Sequence, residues 1–125
     1  MEGSSLSSNT SYQTARNIAS LALQKKARNV CIISLENLSS VTDYFVICHG
    51  DVDVQVKAIT DHIQSSMKEK GIRVWHREGY DYLNWVLLDY VDVVVHVFQK
   101  DARTFYRIEK LWGDAKQEIV TETDE

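Results

Sequence analysis

Two short runs, VCIISL at residues 30–35 and VVVHVF at residues 93–98, limit what this chain can fold into more than any other feature. Each is apolar at nearly every position, so both faces of the segment need cover, yet each is too short for a helix buried all round. Such runs belong inside a sheet. A third, YFVIC at residues 44–48, reads the same way and is separated from the first by the polar connection 36–43. The chain contains no proline, so its breaks are marked by Gly, Asn, Asp and Ser.

Helical spacing surrounds these runs. Val56, Ile59, Ile63 and Met67 recur at intervals of three and four, with Lys57, Asp61, Gln64 and Lys68 opposite, Asp53 ahead as a cap and Gly71 behind as a stop. Ala15, Ile18, Ala19, Ala22 and Leu23 repeat likewise after a capping box of Thr10 and Gln13. A last helix is expected from an Asp101 cap to Gly113, with Phe105, Ile108, Leu111 and Trp112 facing inward. Residues 72–76 and 82–89 supply the remaining strands, with 89–92 as a turn.

This order predicts an α/β fold of the mixed (α+β) kind. Its sheet has five strands, with a βαβ crossover from the second strand through the second helix to the third, and an antiparallel meander; three helices flank it. The 125 residues suffice for one domain, assigned to 11–113, with a flexible Ser-rich leader over 1–10 and a flexible acidic tail over 114–125.

The net charge of −4 has a location: from Asp114 onward stand five acids and a single lysine, so the rest of the chain is balanced. A body without basic excess is not expected to recognise nucleic acid directly. No apolar run approaches membrane-spanning length, and the first ten residues have neither the apolar segment of a secretory signal nor the arginines of a transit peptide. A soluble protein is expected. Cys31 and Cys48, both inside apolar runs, form no CxxC pair and suit a reducing compartment.

Chemistry-bearing patterns are few. Asp51 and Asp53, straight after Gly50, resemble the paired carboxylates that hold Mg²⁺ and a phosphate in a nucleotidyltransferase, with Asp89 or Asp92 as a third acid. The same positions suit the start of a helix, which favours caps and negative charge without any metal. His49, His62, His76 and His96 lack zinc-site spacing, and Ser34, Ser39, Ser40 and Thr42 have no His and acid in a recognisable order. No cofactor, metal or catalytic residue is therefore assigned. The WVLLDY segment of residues 85–90 is apolar on both alternating sets at its start, so one set needs cover from the core, a second copy or a partner.

Several segments in one order resemble the ribosomal silencing factor (RsfS, Iojap-like) family: SVTDYFVIC at 40–48, QVKAI at 55–59, WVLLDY at 85–90, DVVVHVF at 92–98, and Phe105-Tyr106 with Leu111-Trp112-Gly113. The resemblance covers about residues 12–115. It implies a non-enzymatic regulator that binds the large ribosomal subunit through its fourteenth protein and blocks joining of the small subunit when nutrients are short. It further implies a nucleotidyltransferase-like core lacking the catalytic acids, and a homodimer when free. The contact surface carried over from the family comprises Trp85, Val86, Leu88, Asp89 and Tyr90, with the last helix near by. Where the family has Gly in the turn this chain has Val91, so another turn type is expected there. His49 and Asp51-Val52 also depart from the family's small polar residues.

Overall fold

The apolar runs become the central strands. In the computed structural model, which describes residues 3–122, the order is α1 (Gly3–Gln24), β1 (Arg28–Ser34), β2 (Tyr44–Gly50), α2 (Asp53–Glu69), β3 (His76–Glu78), β4 (Trp85–Asp89), β5 (Val93–Gln99), α3 (Lys100–Tyr106), α4 (Ile108–Leu111) and β6 (Gln117–Ile119). The strands lie side by side as β3-β4-β5-β2-β1-β6. β2 and β5 run parallel and the other neighbours antiparallel. The mixed α/β class is as expected, but the sheet has six strands rather than five.

The crossover differs in its destination. It leaves β2 through α2 and lands on β5, not on β3. β3 is a three-residue segment, His-Arg-Glu, exposed throughout, whereas β5 is buried along nearly its whole length. A charged strand belongs at an edge, where water satisfies it, and the apolar strand takes the interior beside β2.

One face of the sheet is closed by α1 and α2, which bury Ile18, Ala22, Val56, Ile59, Ile63 and Met67 against Val46, Val86, Leu88, Val95 and Val97. The other face carries a smaller cluster of Cys31, Ile33, Leu35, Ile47 and Phe98 under Ala102 and Ile108. Gly71 ends α2 at φ +83, with the Gly71 N–H donating to the Lys68 carbonyl and the Ile72 N–H to the Met67 carbonyl. Asp53 is the first residue of α2 rather than its cap; Val52 holds the cap position, and Gln55 accepts the Asp51 N–H at 2.8 Å. Among the described residues, no helix is long and apolar enough to cross a membrane.

Three further expectations are corrected. Helical backbone begins at Gly3, so Thr10 lies inside α1 and the Ser-rich stretch from residue 3 is part of that helix. The acidic segment after Asp114 is not a free tail over its described length: β6 pairs with β1, Val120 is buried, and Glu118 accepts from Tyr12 at 2.7 Å and from Arg16 at 2.6 Å. The last helix is broken at Arg107, whose φ of 50° is left-handed, into α3 and α4. The break turns Phe105 and Leu111 outward, while Ile108 stays buried and Trp112 partly so.

Candidate functional site: an aromatic docking face

The alternation of β4 divides the expected contact residues. Val86 and Leu88 point into the core beneath α1 and α2 and are fully buried. Tyr90 joins them, and burial pushes its hydroxyl up to about 12. None of these three offers surface to a partner. Trp85, Leu87 and Asp89 occupy the opposite face and are half-buried.

Trp85 is the centre of an aromatic stack. Its ring centroid lies 4.9 Å from Phe98 and 4.7 Å from Tyr106 of α3, and Phe105 meets Tyr106 edge-on at 5.0 Å. Its indole N–H donates to Nδ1 of His96 at 3.0 Å. An indole nitrogen only donates, so Nδ1 is the acceptor and the His96 proton sits on Nε2. That Nε2 has no hydrogen-bond partner among the described residues, and burial lowers the imidazole to about 4. Phe45 of β2 packs edge-on against His96 at 4.5 Å and against Trp112 at 5.9 Å, which extends the aromatic row across the sheet.

Towards the other end of β4 the face is uncovered. Val41, Trp75, Asp89, Val91 and Val94 line an apolar recess of about 300 Å³. Val41 is 82% and Trp75 73% exposed, and at the far end of the face Phe105 is 78% exposed. Clustered apolar exposure of this kind marks an interaction surface. Trp75 was not singled out from sequence; a lone Trp beside the charged His76-Arg77-Glu78 edge was the available signal. Asp89 is anchored, since its Oδ1 accepts the Val91 N–H at 2.8 Å and its carbonyl accepts the Trp75 N–H at 2.8 Å. Val91 adopts φ +75 and the Asp92 N–H donates to the Tyr90 carbonyl at 2.9 Å, which makes a γ-turn. The chain thus keeps positive φ at Val91 despite its branched side chain.

The carboxylates of the alternative reading do not converge. Asp51 follows the end of β2 and pairs with Arg28 at 3.3 Å. Asp92 lies at the other end, where its carbonyl accepts the N–H groups of Asp43 and Tyr44, and Asp89 pairs with Val94 near by. The seven residues of β2 put about 20 Å between these ends, far beyond a shared Mg²⁺. Cys31 and Cys48 are pushed up to about 11 and about 12 by burial, which keeps both thiols protonated and poor as nucleophiles.

Comparison with known proteins gives the family. The family model described as "Ribosomal silencing factor during starvation" matches residues 8–125. Ribosomal silencing factor RsfS of Bacillus subtilis (strain 168) is 52% identical over 91 residues, which cover 73% of this chain and 77% of that protein. The protein of the same name from Halalkalibacterium halodurans is 47% identical over 91 residues, 73% of this chain and 78% of its own. A crystal structure of a Bacillus halodurans protein superposes with a TM-score of 0.70 at 42% identity, covering 81% of this chain and 91% of that one. The chain belongs to the ribosomal silencing factor family.

Proposed function

We propose that this protein binds the large ribosomal subunit through the Trp85 face, contacting its fourteenth protein, and prevents the small subunit from joining by occupying the shared surface. The observation that carries this reading is the aromatic row in which half-buried Trp85 supports exposed Tyr106 and Phe105, continued past Leu87 to exposed Trp75 and Val41, on a sheet face that the helices leave partly open. Family membership supports the ribosome as the target. The work done is occupancy, with no bond made or broken. The protein acts in the bacterial cytoplasm, and in the absence of subunits the same apolar face serves a homodimer. A patch of roughly 800 Å² per partner is sufficient for specific binding, and large rigid rings bury that area at low entropic cost.

The test is co-sedimentation with purified large subunits. Trp85→Ala should weaken binding by about 2 to 4 kcal/mol, as expected for a central aromatic anchor, while circular dichroism shows a folded domain. Undiminished binding by the folded variant, or unhindered 70S formation in the presence of excess wild-type protein, sinks the reading.

A further inference from the structure

Four cations, Lys100, Arg103, Arg107 and Lys110, line one recess of about 290 Å³, together with His49 and Thr104. The molecule as a whole carries −4, so this is a local concentration of positive charge against the overall sign. The one carboxylate in the lining, Glu109, is already committed: it holds Arg103 at 2.6 Å through one guanidinium nitrogen and at 2.7 Å through another. The Nη1 of Arg103 donates to Nδ1 of His49 at 3.0 Å and to the Arg28 carbonyl at 3.3 Å. The side-chain ammonium groups of Lys100 and Lys110 have no hydrogen bond or ion pair among the described residues.

These contacts give the recess a rigid floor and a cationic rim. His49 is 7% exposed, and because its Nδ1 accepts from a guanidinium, which only donates, its Nε2 carries the proton and is a donor. Three cations beyond the neutralised Arg103 face the same space, and an anion seated among them would lower their mutual repulsion beyond what solvent screening does. The left-handed turn at Arg107 is what places Lys110 of α4 back beside Lys100 and Arg103 of α3. Had the helix continued, the rim would be spread along its length.

Shape selects the kind of anion. A shallow, solvent-open recess at the small end of the ligand-pocket range offers room for one or two phosphate groups on its cationic rim. A nucleic-acid strand needs phosphate contacts repeated along a path, and outside the acidic C-terminal segment the charges of the body balance. We propose that this recess is a binding site for a small polyphosphate anion, held by Lys100, Arg107, Lys110 and the Nε2–H of His49 over the Arg103–Glu109 floor.

The test is titration of the full chain, without ribosomes, with sodium tripolyphosphate in about 150 mM KCl, where charges more than about 8 Å apart are screened. Calorimetry should give saturable one-to-one binding with Kd below about 1 mM, and NMR shifts should centre on His49, Lys100, Thr104 and Arg107. The exposed double variant K100A/K110A should weaken binding about tenfold or more, whereas K68A/K70A at the end of α2 should leave it unchanged. The proposal falls if no saturable binding is seen, or if both double variants lose affinity equally. It falls also if an RNA of about 12 nucleotides with hydroxyl ends binds more tightly than tripolyphosphate. Because no subunits are present, none of these outcomes depends on the ribosome reading.

Discussion

Trp85 and His96 are joined across the β4–β5 ladder on the diagonal: Trp85 is paired with Phe98 and His96 with Leu87, yet the indole N–H reaches Nδ1 of His96 at 3.0 Å. The bond fixes the indole under Tyr106 and satisfies one nitrogen of a buried imidazole. Trp85→Phe keeps the stack and loses the donor, so it should destabilise by about 1 to 2 kcal/mol in urea denaturation. Trp85→Ala also uncovers Phe98 and should lose about 3 kcal/mol. Equal values for the two variants would mean that stacking adds nothing.

Acid should loosen the same corner. His96 titrates near 4 in the folded chain because burial disfavours its charged form, against an ordinary value of 6.5. Between those values the unfolded chain takes up a proton that the folded chain refuses. The stability due to a neutral His96 is therefore complete above pH 6.5 and is lost as pH falls, by on the order of 3 kcal/mol at pH 4. His49 is lowered by burial and then by Arg103, and contributes in the same direction. His96→Gln should flatten the dependence of the urea midpoint on pH over this window, and an unchanged slope would contradict the assignment.

Gly79 sits at φ +81, where a Cβ would lie 2.0 Å from the Trp85 carbonyl oxygen. Neither backbone can yield without opening the β3–β4 hairpin. Gly79→Ala should cost about 2 to 4 kcal/mol and lower affinity for large subunits by displacing Trp85. A thermal shift within a degree of wild type would show that the hairpin adapts.

Val91 is the converse case. Its φ of +75 is costly for a branched side chain, and the side chain is 54% exposed, so little packing is at stake. Relief of strain by Val91→Gly exceeds the added freedom of the unfolded chain, and a net gain of about 1 kcal/mol, or about 4 °C in Tm, is expected. A lower Tm would place the strain elsewhere.

The strands and α2 were legible because their signals are local: continuous apolar runs and a stripe of Val56, Ile59, Ile63 and Met67. Pairing was less so, since nothing within residues 72–78 tells a charged edge strand from a crossover partner; only competition with β5 for the interior decides it. The division of the contact segment was implicit in the alternation of β4, which forces Val86 and Leu88 away from Trp85 and Asp89. Tyr90 follows Val86 and Leu88 into the core. The break at Arg107 carries no Gly or Pro, so the basic recess it creates was invisible in sequence. β6 was hidden by its acids, whose role emerges only once Tyr12 and Arg16 stand opposite Glu118.

That last contact ties α1 to β6 at one border of the sheet, and β4 lies four places from β6, about 19 Å across the ladder. A fluorophore attached at the exposed Ile119 of β6 sits on the flank remote from Trp85. Labelled protein should therefore compete for subunits as well as unlabelled protein does, which gives single-particle observation of the proposed subunit binding an attachment point.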